Sequence, residues 1–81
     1  MKEIFSIDRE IRAKLGNRIK NIRRMKEISR EELAERIGLG VSTVYRVEQG
    51  LAPIDLGRIG LFAAALEVTE EEVQSVLKEE K

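Results

Sequence analysis

The chain contains no cysteine, no histidine and no tryptophan, and only one proline. Without cysteine it has neither a disulfide framework nor a thiolate metal site. Without histidine it lacks both the commonest metal ligand and the commonest general base. Carboxylates, lysines and one tyrosine are left for catalysis, and no nucleophile–base pair or metal constellation can be assembled from them. The expectation is a protein that is not an enzyme, with no metal, no cofactor and no small-molecule substrate. Long apolar runs are also missing, since none approaches the roughly 18 residues of a membrane span. The opening Met1-Lys2-Glu3-Ile4-Phe5-Ser6 lacks the apolar stretch and small-residue cleavage site of a signal peptide. A cytoplasmic location is expected on that basis.

Eighty-one residues allow one domain with a modest hydrophobic core. The formal net charge is zero, but the charge is unevenly placed. Residues 1–30 hold ten Lys/Arg against four Asp/Glu, residues 31–50 two against four, and residues 51–81 three against seven. One end is therefore basic and the other acidic. Attraction to phosphates depends on the local field, so this asymmetry is compatible with a nucleic-acid partner. Charge scatter in a heavily charged chain is the alternative reading.

Apolar residues recur at spacings of three and four, and no convincing strand alternation occurs, so the fold class is all-α. Ile7, Ile11, Leu15, Ile19, Ile22 and Met25 form one helical stripe. Gly16 interrupts it, at a cost of roughly 1 kcal/mol relative to alanine. The segment reads either as one long helix or as a short helix followed by another. Ser29 with Glu32 forms a capping box, and Ile28 is placed to staple onto Leu33 across the cap. Leu33, Ala34 and Ile37 make the buried face of the helix that follows, and Gly38 ends it in the left-handed conformation. Gly40 caps the next helix, whose Val44 and Val47 point to the core, and Gly50 ends that helix. Asp55 is read as the cap of a fourth helix carrying Leu56, Ile59, Phe62, Ala63 and Leu66. Thr69 and Glu72 make a second capping box before Val73, Val76 and Leu77. Five short helices are expected.

Two helices joined by a tight glycine-containing turn are the sequence form of a helix-turn-helix, here at about residues 30–49. Small residues are needed where the two helices cross, and Ala34 and Gly38 are expected to fill that need. On the second helix, Ser42, Tyr45, Arg46 and Gln49 lie opposite Val44 and Val47. A serine, an aromatic, an arginine and an amide suit the reading of base edges. They equally suit a solvated helix face, and their composition leaves both readings open.

Residues 15–77 resemble the lambda repressor and Cro type of helix-turn-helix domain. The resemblance rests on Leu15-Gly16-Asn17-Arg18-Ile19 with Arg23, on Ser29-Arg30-Glu31-Glu32-Leu33-Ala34, and on the run from Gly38 to Gly50 followed by an alanine-rich helix ending at Leu66. It implies a compact five-helix bundle, with residues 1–14 as an N-terminal helical extension and residues 15–81 as the DNA-binding domain. It also implies sequence-specific binding of double-stranded DNA by a transcriptional regulator, a repressor, with the third helix in the major groove. Val41, Ser42, Tyr45, Arg46 and Gln49 would face bases. Arg46 would suit guanine, and Val41 and Tyr45 a thymine methyl. Ser29 and Arg30 fall at a phosphate-contacting position, and Arg23 and Glu48 at the positions of a buried ion pair. A homodimer is implied as well, through either the Ile4, Phe5, Ile7 segment or the last helix.

Several residues depart from the family pattern. Arg30 stands where glutamine is usual, Leu51 and Ala52 where basic residues are common, and Pro53 lies one place early. Gly57 and Gly60 fall inside the fourth helix without an evident reason. The alternative function is a protein-binding module, such as an antitoxin or adaptor, that keeps the fold without using the groove face. The neutral net charge favours this alternative, and the face of Ser42, Tyr45, Arg46 and Gln49 disfavours it.

Overall fold

Among the described residues of the computed structural model, five helices follow one another: α1 (Lys2–Met25), α2 (Arg30–Ile37), α3 (Val41–Glu48), α4 (Leu56–Leu66) and α5 (Glu70–Lys78). The structure describes residues 2–52, 54 and 56–78, and these contain no strand. The expected caps at Asp55 and the displaced Pro53 lie outside the described residues. Four of the helices are short, but α1 runs unbroken for 24 residues through Gly16. At 1.5 Å per residue it is about 36 Å long, which matches the longest dimension of the molecule.

Leu15, Ile19 and Ile22 of the α1 stripe are buried, and Ile11 packs at the edge of the core. Met25, expected on the same stripe, is instead 79% exposed. It sits at the margin of the apolar arc on the last turn, beside an open groove lined by Arg18, Ile22, Lys26 and Val68. The core is completed by Leu33, Val44, Val47, Ile59, Phe62, Leu66 and Val73, each 3% exposed or less. Burying each of these large side chains contributes about 1.5–3 kcal/mol, so this small centre supplies most of the driving force for folding.

Local chemistry sets the helix boundaries. Ser29 Oγ accepts from the Glu32 amide at 3.0 Å, and Ile28 is buried directly before that cap. Glu32 turns its carboxylate onto Arg36, one turn further along α2, at 2.8 Å. Arg36 in turn donates to the Ala65 carbonyl at 2.7 Å, tying α2 to the C-terminal turn of α4. Gly38 ends α2 at φ 85°, and its amide donates to the Ala34 carbonyl. A side chain added at Gly38 would meet nothing within 4 Å. Gly38 therefore serves the left-handed turn, not the helix crossing expected of it, whereas Ala34 is buried as expected. Thr69 Oγ1 accepts from the Glu72 amide at 3.0 Å and opens α5.

α1 and α3 approach each other closely at Gly16. A Cβ built there would lie 2.1 Å from the Val47 carbonyl oxygen and 2.8 Å from that of Glu48. Next to it, Gly50 (φ 76°) comes against Ala13, whose Cα would be 2.8 Å from an added Cβ. The glycine that weakens the α1 stripe on propensity is thus the residue that lets α1 lie on the end of α3. Gly60, unexplained by sequence, faces Glu70 in the first turn of α5, where an added Cβ would meet a carboxylate oxygen at 2.9 Å.

The basic and acidic ends of the sequence are packed together rather than kept apart. α1 runs against α5, and Arg18 Nε donates to the Glu72 carbonyl at 3.0 Å. Arg18 of the basic end is therefore held at the surface against the helix of the acidic end.

Candidate nucleic-acid interface

Three residues, Gly38, Leu39 and Gly40, join α2 to α3. Gly40 caps α3 with extended backbone (φ −76°, ψ 156°), so the helix starts cleanly at Val41. Val44 and Val47 are then fully buried against α1 and α2, which fixes the roll of α3. The opposite side of α3 is free. Val41 is 40% and Tyr45 45% exposed, and Ser42, Arg46 and Gln49 are exposed as well. All five residues expected to face bases thus share one open surface, with Gln49 as the C-terminal capping residue.

Glu48 is the exception on this helix, being a carboxylate with no solvent exposure in its side chain. Arg23 Nε donates to its Oε2 at 2.6 Å and Arg23 Nη2 to its Oε1 at 3.3 Å. Arg23 Nη1 also donates to the Ile28 carbonyl at 2.8 Å. A single guanidinium therefore joins the end of α1, the α1–α2 turn and the end of α3. The structure places Arg23 and Glu48 as the buried pair expected of them.

Ser29 and Arg30, the expected phosphate-contacting residues, lie at the N-terminus of α2 beside this pair. Ser29 is exposed and its oxygen caps the helix, leaving its hydroxyl hydrogen for an outside acceptor. Arg30 is half-buried. Its Nε donates to Glu48 Oε1 at 2.9 Å, and its guanidinium carbon lies 5.0 Å from the centroid of the Tyr45 ring. Two arginines therefore converge on one carboxylate, and sequence reasoning missed the second. The available signal was the arginine at a position where glutamine is usual.

After α3, Leu51 is 63% exposed while Ala52 is buried in the core, a place where a basic side chain would be expelled. α5 is a packing element, with Val73 fully buried and Val76 and Leu77 against the core. Ile4, Phe5 and Ile7, the other candidate dimer segment, have side chains outside the described residues. Sequence reading also missed the outer side of α4. This helix carries one charged residue, Arg58, among its eleven, and it exposes Gly57, Leu61 and Ala64.

A helix-turn-helix family model matches residues 19–73, well over half of the chain. The chain belongs to the helix-turn-helix family. Within it, the lambda repressor/Cro type is the one whose five-helix fold is present here. Two solved structures of this helix-turn-helix fold are similar to the chain. One is the restriction-modification controller protein C.AhdI from Aeromonas hydrophila, 36% identical over 75% of this chain and 92% of its own, with a TM-score of 0.71. The other is a hypothetical transcription factor, NHTF, from Neisseria, 36% identical over 84% of this chain and 83% of its own, with a TM-score of 0.73. The chain is accordingly a DNA-binding regulator of the helix-turn-helix family. Among the described residues, no helix is long and apolar enough to cross a membrane.

Proposed function

We propose that the protein is a sequence-specific repressor that inserts α3 into the major groove of double-stranded DNA. The observation that carries this reading is the division of α3, with Val44, Val47 and Glu48 sealed in the fold and Val41, Ser42, Tyr45, Arg46 and Gln49 open on the other side. Burial of the first set holds the second in a fixed orientation, which base reading needs. The acidic residue of the helix does not oppose DNA, because two arginines hold its carboxylate inside. Arg46 takes the guanine-reading role, since its fork matches the two acceptors on that base edge. Val41 and Tyr45 supply apolar contact to a thymine methyl, and Ser42 and Gln49 supply hydrogen bonds. Ser29 and Arg30 meet a phosphate at the start of α2, where helix amides favour an anion. Residues 15–81 act as the DNA-binding unit, with residues 1–14 as an N-terminal extension.

Selection of bound sites from a random duplex pool, followed by binding across a salt series, tests this reading. Specific binding should weaken steeply with salt, because neutralised phosphates release counterions. On the selected site Arg46→Ala should lose roughly 1–3 kcal/mol and relax preference at one base pair. If Arg46→Ala lowered affinity for every sequence equally, the orientation of α3 proposed here would be wrong. No salt-dependent binding to any duplex would favour the protein-binding module instead.

The protein acts as a homodimer, because one short recognition helix covers too few base pairs for useful specificity. The outer face of α4 suits a second copy. It is apolar, small and nearly uncharged in a chain that is 37% charged, so it meets its own image without repulsion. Leu61→Glu should place two carboxylates across the two-fold axis and raise the dimer dissociation constant at least about tenfold. Leu61 is 52% exposed, so the melting temperature of the monomer should hardly move. Sedimentation of parent and variant measures this, and an unchanged dimer would remove α4 from the interface.

A further inference from the structure

We infer that Arg30 is a positioning residue for Tyr45, locking the exposed ring to the buried Arg23–Glu48 pair so that base selectivity is set from beneath the reading face. The inference rests on the DNA-binding reading above and assigns Arg30 a task beyond phosphate contact.

Four observations converge on it. Tyr45 is nearly half exposed on a helix surface, where a side chain ordinarily samples several rotamers. The Arg30 guanidinium covers one face of its ring at 5.0 Å from the centroid, within the range of a cation–π contact. The same guanidinium is held by its Nε, 2.9 Å from Glu48 Oε1, and Glu48 is fixed by Arg23 on its other oxygen. Arg30 also stands at the first residue of α2, directly after the Ser29 cap, so its backbone is anchored. A cation at a helix N-terminus opposes the helix dipole, and the buried Glu48 carboxylate compensates for it there.

The chain of contacts runs from the core outwards, through Arg23, Glu48, Arg30 and Tyr45. Only the Nε of Arg30 is needed for the bond to Glu48, and the guanidinium carries four further N–H donors that suit a phosphate. One side chain can therefore hold the ring, the carboxylate and the DNA backbone together. A ring already ordered before binding loses less rotamer freedom on contact with a thymine methyl. Lysine keeps the charge but not this arrangement, because its single nitrogen cannot lie flat over the ring while a separate N–H is held by Glu48.

The protein has one tyrosine and no tryptophan, so its near-ultraviolet circular dichroism and tyrosine fluorescence report chiefly on Tyr45. In the free protein, Arg30→Lys and Arg30→Gln should each lose most of the tyrosine dichroism and make the ring easier to quench, while far-ultraviolet helicity stays at the parent level. On selected DNA, Arg30→Lys should keep the salt dependence. Its discrimination at the base pair facing Tyr45 should fall from roughly tenfold to about twofold. Tyr45→Ala should lose the same discrimination, and the double variant should be no worse than Tyr45→Ala alone. Unchanged tyrosine signals in Arg30→Lys, or additive losses in the double variant, would overturn the inference. If the parent bound no duplex, the DNA-binding reading and the selectivity role would both fall. The free-protein measurements would still decide the ring contact, because they do not involve DNA.

Discussion

Glu48→Ala should lower the free energy of unfolding by about 3–5 kcal/mol. The substitution leaves the Arg23 guanidinium, whose side chain is 9% exposed, without its carboxylate. It also removes the partner of Arg30 Nε. A buried charge stripped of its partner keeps its desolvation cost and loses the attraction that offset it. A domain of this size has on the order of 0.05–0.15 kcal/mol of stability per residue, so the loss is a large share of the total. Urea denaturation followed by circular dichroism measures it. An Arg23→Met, Glu48→Met double variant should recover much of the loss, because an apolar pair of similar volume needs no compensation. A Glu48→Ala protein as stable as the parent would remove the pair from any account of stability.

Gly16→Ala should destabilise the protein by about 2 kcal/mol, although alanine is the better helix former by roughly 1 kcal/mol. The new methyl would sit 2.1 Å from the Val47 carbonyl oxygen and 3.0 Å from the Glu48 carbonyl carbon. Both are backbone atoms of α3 and cannot rotate aside, so α1 and α3 must separate and leave Leu15, Ile19 and Val47 under-packed. The expected fall in melting temperature is roughly 10 °C. Gly60→Ala is the control. Its methyl would meet only the flexible Glu70 carboxylate, so helix propensity should outweigh the contact and stability should hold or rise. Equal behaviour of the two variants would mean that helix propensity, not the α1–α3 approach, governs Gly16. Separation of α1 and α3 should weaken DNA binding too, because Arg46 and Gln49 lie on the part of α3 that α1 supports.

Much of the fold could be read from local chemistry. Ser29 and Thr69 cap the helices they were expected to cap, Gly38 ends α2 left-handed, and the buried set of Leu15, Ile19, Ile22, Leu33, Val44, Val47, Phe62, Leu66 and Val73 follows the apolar spacing. The signals for these features lie within a few residues of one another, so a linear reading captures them. The open face of α3 was legible for the same reason, since two valines on a helix determine which side is left over. Met25 was misread because periodicity states which way a side chain points but not whether anything lies opposite.

The sequence by itself determined the element order, the caps, the helical class and the residues that α3 exposes, because each follows from spacing along one chain. Only the tertiary structure decided what depends on atoms far apart in sequence. Gly16 proved to be a place of contact rather than a break in a helix, because the carbonyls of Val47 and Glu48 come from another element. Arg18 was drawn onto α5, so the basic end of the chain does not form a separate pole. Arg30 was turned towards Glu48 and Tyr45 because the α2 N-terminus packs beside the end of α3, and the geometry of that crossing is not written in either segment alone.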